Sequence, residues 1–261
     1  MIYLSRIRYV GTEFCGFQVQ KNGRTVQGDL GAAAEKLFGC PCTVTGCSRT
    51  DSGVHAEEFF LTLEPTDKNA PKIPPAALPA AILQFLPPDL SLNFAVEAPA
   101  GFHPRFDALG KEYHYRIRYG GVPDPFRVGL VWQLPYTLTD EGLDAMKAAA
   151  THFLGAHDFT SFMCPATTIE DHVRTVTKMT VERVGDEVVI AVAANGFLYN
   201  MVRIMTGTLF EIGAGRRSID SIDAAFLGHD RVLGGMTAPP DGLYLHRVFY
   251  SKKLETLLGR E

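Results

Sequence analysis

The order of strand and helix patterns is the feature that most limits what this chain of 261 residues can fold into. In its first part, apolar residues at every second position predict strands, and apolar stripes at helical spacing predict helices. These segments follow the order β-α-β-β-α-β, at residues 2–10, 25–38, 42–47, 55–63, 76–86 and 91–97. The order is typical of the split βαβ pattern of ferredoxin-like and RNA-recognition-type domains.

Local signals set the ends of these elements. Thr25 can cap the first helix and Gly39 can end it, while Pro87-Pro88 stops the second helix. Residues 49–53 combine Asp, Ser and Gly between two strands, which is the composition of a turn. The first hundred residues therefore predict a small α+β unit with well-marked boundaries.

The second part of the chain repeats this order more loosely. Strands are predicted at 111–119, 173–184, 187–195 and 243–250, and helices at 139–154, 200–212 and 218–227. Gly185-Asp186 can turn a hairpin, Asn200 and Ser218 can cap the last two helices, and the last strand closes the sheet. We therefore predict an α+β fold of two ferredoxin-like halves, residues 1–100 and 101–261, with a mostly antiparallel sheet and a cleft between the halves.

Composition excludes several classes of protein. Hydrophobic residues make up 46% of the chain and charged residues 21%, which excludes a disordered or fibrous protein. The formal net charge of −4 argues against a nucleic-acid partner, because such proteins usually have a basic excess. The N-terminus lacks a signal-peptide pattern, and no apolar run is long enough to span a bilayer. With five cysteines and no secretion signal, we expect reduced thiols and a cytoplasmic protein.

The predicted turn around Asp51 is a first candidate site. An Asp can cap its own backbone and a Gly adopts positive φ, so Asp51 and Gly53 suit an ordinary turn. A turn does not need Arg49 beside the aspartate or His55 just beyond it, and loops often carry functional residues. Composition alone leaves both interpretations open.

The start of the helix at 200–212 is a second candidate. With Asn200 at the N-cap, Arg203 lies in the first turn, where a cation faces the positive end of the helix dipole at a cost of about 0.3–1 kcal/mol. Its neighbours are apolar, so we expect a partly buried guanidinium that needs a carboxylate or phosphate partner. Such a partner can form a structural ion pair as well as a functional site.

The strand at 111–119 places two kinds of side chain on its two faces. Tyr113, Tyr115, Ile117 and Tyr119 share one face with Lys111, and Glu112, His114, Arg116 and Arg118 share the other. A core face backed by a solvated face accounts for this pattern. An aromatic floor beside basic residues, as single-stranded RNA binders use, accounts for it as well.

No residue pattern predicts a metal or a cofactor. Cys40, Cys42 and Cys47 do not match the paired spacing of zinc sites. Histidines and aspartates at 103–107 and 157–158 lack the spacing of a helical zinc motif. The chain also lacks phosphate-binding glycine motifs and the nucleophile elbow of α/β-hydrolases.

Several segments together carry a family resemblance. SRTDSGVHA at 48–56 resembles the catalytic motif of the tRNA pseudouridine synthase A family, usually written GRTDAGVHA. The resemblance continues, in the family's order, through FHPRFDA (102–108), KEYHYRI (111–117), HDFTSF (157–162), FLYNMVRIMTGTLFEIG (197–213) and APPDGLYL (238–245). Ser48 and Ser52 depart from the usual Gly and Ala, but both are small enough for the turn to survive.

The resemblance implies a pseudouridine synthase fold and an isomerase that converts uridine to pseudouridine in tRNA. Its targets would lie on the 3′ side of the anticodon stem-loop, roughly at positions 38–40. Asp51 matches the catalytic aspartate, Arg203 the arginine that pairs with it, and Tyr113 the tyrosine that stacks on the target base. Arg49 matches an arginine that displaces the target nucleotide, and Leu245 an apolar residue near the base. The resemblance further implies a homodimer that contacts tRNA with both subunits, no cofactor and no membrane association.

Two other functions remain open at this point. The chain could be a tRNA-binding or tRNA-folding module whose catalysis is dispensable, or a metal-dependent hydrolase that uses its scattered His and Asp residues. An RNA partner requires that some cations line one cleft while the acids at 140–144 and 220–223 face elsewhere. The cations in question are Arg6, Arg8, Lys21, Arg24, Arg105, Lys111, Arg116, Arg118, Arg174, Lys178, Arg203, Arg216 and Arg217.

Overall fold

The structure is a computed structural model, and it describes residues 1–166 and 169–260. The chain forms two compact units, Met1–Leu109 together with Tyr244–Glu261, and Gly110–Leu243. The first boundary thus lies at 109/110, whereas the sequence pattern predicts it at 100/101. The last strand lies with the first unit, although the sequence analysis placed it in the second half.

The described part of the chain contains ten strands and six α-helices. The strands are β1 (Tyr3–Tyr9), β2 (Cys42–Gly46), β3 (His55–Pro65), β4 (Leu90–Glu97), β5 (Gly110–Tyr119), β6 (Trp132–Leu134), β7 (Gly155–Asp158), β8 (Val173–Val184), β9 (Glu187–Ala194) and β10 (Leu243–Phe249). The helices are α1 (Val26–Phe38), α2 (Leu78–Leu83), α3 (Asp140–Ala150), α4 (Met201–Gly213), α5 (Ser221–Gly228) and α6 (Lys252–Leu257).

The first unit has the predicted β-α-β-β-α-β order. Its strands lie in the antiparallel order β4-β1-β3-β2, and β10 adds to the start of β3 in parallel, with Tyr244 opposite His55. Thr25 caps α1 by accepting a hydrogen bond from the Gly28 amide at 3.2 Å. Gly39 ends α1 at φ 70, as expected for a left-handed C-terminal glycine.

The second unit is built on the sheet β6-β5-β9-β8-β7. Its strands are antiparallel except for β5 and β6, which run parallel with Ile117 opposite Trp132. Helices α3 and α4 pack on each other, and most side chains of α4 are buried. Gly185, at φ 62, turns the predicted hairpin between β8 and β9.

Several predicted helix ends shift in the structure. Helix α2 is shorter than the predicted 76–86, because residues 75–77 form a 3₁₀ turn and Pro79 lies at the helix start. The helix predicted from 139 ends at Ala150 and continues as a 3₁₀ turn to Phe153. Helix α5 begins at Ser221 after Asp220, so Ser218 is not its cap.

The mixed class with mostly antiparallel sheets is confirmed, since each unit combines such a sheet with helices. Within the described residues, no helix has both the length and the apolar character needed to cross a membrane.

Candidate active site

The loop that carries Asp51 lies between β2 and β3 and is held by backbone hydrogen bonds. The Phe17 amide donates to the Thr50 carbonyl, and the Gly53 amide donates to the Phe14 carbonyl, each at 3.2 Å. Asp51 is half-buried and Thr50 is buried. Gly53 has φ 80, so the predicted turn chemistry is present. The segment at 11–17 therefore supports the aspartate loop from below.

Gly11 and Gly16 allow the backbone of residues 11–17 to approach the aspartate loop this closely. Gly16 has φ +87, and a Cβ added to it would lie 2.6 Å from the Thr50 carbonyl oxygen. A Cβ on Gly11 would lie 2.0 Å from the Val54 oxygen. No larger residue fits without moving the loop. No periodic pattern in the sequence marks this segment, and its only signal is the pair of glycines in an aperiodic stretch.

Side chains brace both ends of the same loop. The Tyr9 hydroxyl lies 2.8 Å from the Thr50 hydroxyl, in a buried hydrogen bond just before Asp51. After the loop, the fully buried His55 accepts a hydrogen bond from the Gly11 amide at Nδ1. A neutral ring with this acceptor carries its proton on Nε2. His55 also stacks on Tyr244, with ring centroids 4.5 Å apart.

Two further predicted residues belong to the first unit. Arg49 is exposed on the Asp51 loop, so its guanidinium is accessible to a polyanion. Leu245 is fully buried next to Tyr244 on β10, where it lies opposite Ala56. The roles that the resemblance implies for Arg49 and Leu245 remain predictions.

Arg203 lies at the start of α4, in the second unit, and its guanidinium binds acceptors on Ala238 and Asn200. Nε donates to the Ala238 carbonyl at 2.7 Å, and one terminal nitrogen donates to Asn200 Oδ1 at 2.8 Å. Arg203 is half-buried, as the sequence analysis predicts from its apolar neighbours. These contacts fix the direction of the guanidinium.

Asn200 occupies the N-cap position but does not act as the sequence analysis predicts. Its side chain makes no capping hydrogen bond to the helix backbone. Its backbone has φ 61, the left-handed region that Asn tolerates better than most residues. In this conformation the amide oxygen binds Arg203 instead of the helix end.

Tyr113 lies on β5 and is 7% exposed. Phe197 packs edge-to-face against it, with ring centroids 5.1 Å apart. Tyr115, on the same face of β5, is buried and donates from its hydroxyl to the Pro239 carbonyl at 2.7 Å. Burial raises the pKa of Tyr115 above its ordinary value. The aromatic face is therefore largely core, with Tyr113 at the end nearest Gly110.

The opposite face of β5 carries an ion-pair cluster around Glu112, which is 8% exposed. Lys178 and His114 donate to one carboxylate oxygen at 2.8 and 3.0 Å. Burial raises the pKa of Glu112, but these hydrogen bonds outweigh it and hold the pKa below its usual value. Arg118 pairs with Asp186 at 2.7 Å. The charges that the sequence analysis considered for RNA binding are thus partly satisfied within the protein.

Comparison with known proteins places this chain in a family. A family model described as tRNA pseudouridine synthase matches residues 149–251. The tRNA pseudouridine synthase A of Listeria innocua is 44% identical over 253 residues, covering 95% of this chain and 98% of that protein. Those of Geobacillus sp. (strain WCH70) and Brevibacillus brevis are both 41% identical, covering 94% of this chain and 96% and 97% of their own lengths. The chain belongs to the tRNA pseudouridine synthase A family.

Members of this family are isomerases, so the predicted enzyme class is confirmed. The predicted site residues of this family member divide between its two units. Arg49, Asp51 and Leu245 belong to the first unit, and Tyr113 and Arg203 to the second. The pairing of Asp51 with Arg203 that the resemblance implies remains a prediction.

Across residues 1–166 and 169–260, no group of three or more His, Cys, Asp or Glu side chains is placed to hold a metal ion. The five cysteines are free thiols, and burial raises the pKa of Cys42 to about 12.

Proposed function

We propose that this chain isomerises uridine to pseudouridine in tRNA, on the 3′ side of the anticodon stem-loop at roughly positions 38–40. The enzyme acts in the cytoplasm as a homodimer whose two subunits both contact the tRNA. Family membership supports the reaction and its substrate class. The observation that carries the proposal is the Asp51 loop, whose half-buried carboxylate stands on a backbone fixed by residues 11–17.

Asp51 starts the reaction as nucleophile or base. Pseudouridine formation breaks the N1–C1′ bond, rotates the base and joins C5 to C1′, while C5 loses a proton and N1 gains one. Atoms and electrons therefore balance without a redox cofactor. An ionised carboxylate can attack the sugar or take a proton from C2′. Either route needs a carboxylate held in one direction, and the hydrogen-bonded loop supplies such a support.

Arg203 keeps that carboxylate ionised. A guanidinium next to a carboxylate lowers its pKa by about one to three units. The contacts of Arg203 with Asn200 and Ala238 hold its guanidinium in a fixed orientation, which suits a directional pair better than a mobile cation. This arrangement supports Arg203 as the partner of Asp51.

Tyr113, Arg49 and Leu245 receive the target nucleotide. A base must leave its stack to react, which costs a few kcal/mol. Arg49 is exposed and can take the place of the displaced nucleotide, whereas Tyr113 can stack on the extruded base. Leu245 is buried and contributes an apolar wall.

The test is substitution of the aspartate. Asp51→Asn keeps the size of the side chain but removes the charge, so kcat should fall by at least about 1,000-fold while tRNA binding is retained. Turnover is measured as tritium release from tRNA labelled with 5-³H-uridine. Asp67→Asn, which alters an exposed loop aspartate of the same unit, is the matched control and should leave kcat unchanged.

A second measurement separates the enzyme from a binding module and tests the position. Mass spectrometry of tRNA treated with the purified protein should show pseudouridine at roughly positions 38–40. Full turnover by Asp51→Asn would refute the assigned role, and a tRNA left unmodified by the wild type would refute the activity itself.

A further inference from the structure

A cavity of about 340 Å³ opens in the first unit where β1, β3, β4 and β10 meet. Its walls include Arg8 and Tyr9 of β1, Ser91 of β4 and Tyr244 of β10. The volume lies within the range of about 300–1,000 Å³ that is common for small-ligand sites. Neither Asp51 nor Arg49 lines it. The proposed function therefore leaves this cavity unexplained.

Arg8 supplies the available positive charge in the cavity. It is exposed, and among the described residues no carboxylate lies within ion-pairing distance of its guanidinium. The two carboxylates in the cavity walls, those of Asp89 and Glu57, already accept hydrogen bonds within the protein. Both oxygens of Asp89 accept from Arg24 at 2.7 Å, and Glu57 accepts from His246 at 2.6 Å. The cavity therefore presents a cation that suits a phosphate or a carbonyl-rich base edge.

Arg8 differs in this respect from other cations that the sequence analysis singled out. Many of those bind carboxylates within the protein: Arg24 binds Asp29 and Asp89, Arg118 binds Asp186, Lys178 binds Glu112, and Arg217 binds Glu211. Arg6, on the same face of β1, donates to Asn93 at 2.9 Å and lies over the Phe94 ring. Arg8 alone of these cations lines the cavity.

The aromatic part of the wall consists of Tyr9 and Tyr244, which are 4% and 8% exposed and contact the residues at the two ends of the aspartate loop. Tyr244 is stacked on His55, which directly follows the loop in sequence. Tyr9 bonds to Thr50, the residue before Asp51. A ligand that touches both tyrosines thus contacts the direct partners of Thr50 and His55, which lie before and after the aspartate loop. Aromatic rings beside a cation are the elements with which proteins hold unstacked RNA bases.

We propose that this cavity holds one unstacked nucleotide of the RNA substrate other than the uridine that reacts, with Arg8 on its phosphate and Tyr244 against its base. The inference rests on the proposed function for its substrate class. It adds a second anchoring point for the anticodon stem-loop, next to the loop that carries Asp51. Binding there orients the RNA before reaction and contributes to affinity rather than to the chemical step.

Removal of the charge is the first test, with Arg6 as the matched control. Arg8→Ala should raise KM and the Kd for a tRNA transcript about tenfold, while kcat changes by less than about twofold. The slope of log Kd against log salt should fall by about one, as for the loss of one phosphate contact. Arg6→Ala removes an equal charge from the same strand but not from the cavity, and should change neither constant by more than about twofold.

Filling the cavity is the second test and does not change the charge. Ser91→Trp places an indole in the cavity and should raise KM and Kd at least as much as Arg8→Ala. Asn93→Trp introduces the same ring at an exposed position of β4 that does not line the cavity, and should leave both constants near wild type. Thermal melts of all four variants confirm that each is folded.

The outcomes separate this inference from the proposed function. If Arg8→Ala and Arg6→Ala bind tRNA with the same affinity and salt slope, or if Ser91→Trp binds normally, the cavity does not hold a nucleotide. If the wild type forms no pseudouridine, the proposed function fails, but the four affinities still decide whether RNA occupies the cavity. A large fall in kcat for Arg8→Ala with unchanged Kd would also overturn the assignment as an anchoring site.

Discussion

The two charged side chains at the centre of the proposed chemistry are held in opposite ways. Asp51 is positioned by the main chain, because its loop is bonded to the backbone of residues 11–17. Arg203 is positioned through its own guanidinium, which donates to the Ala238 carbonyl and to the side chain of Asn200. The first arrangement uses close backbone packing, and the second uses individual acceptors such as Ala238 O and Asn200 Oδ1.

The difference predicts which substitutions each region tolerates. A loop fixed by backbone contacts tolerates loss of a side chain, but not an added Cβ at a position where two backbone segments touch. A guanidinium fixed by single acceptors is sensitive to each of them, even when the fold is intact. The second region also holds Asn200 at φ 61, a conformation that costs of order 1 kcal/mol for a non-glycine residue.

The largest effect should come from adding a Cβ beneath the aspartate loop. Gly16→Ala combines φ +87 with a Cβ that would lie 2.6 Å from the Thr50 oxygen, so the free energy of unfolding should fall by about 3 kcal/mol. Urea unfolding measures it. Gly31→Ala in α1, where nothing lies within 4 Å of an added Cβ, should leave stability unchanged or raise it by up to about 1 kcal/mol. Equal stability of the two variants would contradict backbone placement of the loop.

The next largest effect should come from replacing the guanidinium of Arg203, with its several donors, by an ammonium group. Arg203→Lys keeps the charge but cannot reach Ala238 and Asn200 together, so kcat/KM should fall about 100-fold. Arg217→Lys is the control, because Arg217 also binds a side chain, Glu211, together with backbone carbonyls, those of Leu233 and Gly234. Its kcat/KM should change by less than about threefold. A similar loss in both variants would mean that stability, not orientation, limits activity.

A smaller effect should distinguish two features of Asn200. One is its Oδ1, which accepts from Arg203, and the other is its backbone at φ 61. Asn200→Gly relaxes the left-handed residue but removes Oδ1, so kcat/KM should fall about tenfold with little loss of stability. Asn200→Ala should show the same kinetic loss and an additional destabilisation of about 1 kcal/mol. Wild-type kinetics in both variants would show that Asn200 does not orient the arginine.

The sequence predicts the elements whose signals are local. Thr25 and Gly39 mark the ends of α1, and Gly185-Asp186 marks the hairpin, because caps and turns depend on a few adjacent residues. Strand β6, with three residues, is too short to show a period. The return of β10 to the first unit depends on its pairing with His55 and Ala56, far away in sequence, which no local pattern reveals.

The candidate site shows the same limit. Motif resemblance identifies Asp51, Tyr113 and Arg203, but it does not reveal what holds them. Asn is a residue type that often caps helices, so the sequence predicts that the Asn200 side chain binds the helix backbone. Its positive φ directs the amide to Arg203 instead, and that choice depends on three-dimensional surroundings.

The smallest effect should come from the tyrosine hydroxyl that braces the aspartate loop at Thr50. Tyr9→Phe removes the buried bond to Thr50, and because a neutral hydrogen bond contributes about 0.5–1.5 kcal/mol, kcat should fall about threefold. Tyr3→Phe on the same strand removes a hydrogen bond to the Ile73 carbonyl, away from the loop. It should cost similar stability in urea unfolding but leave kcat unchanged. Since both variants lose one tyrosine hydroxyl from β1, an equal fall in kcat would show that Tyr9 does not position Asp51, and that the main chain alone is sufficient.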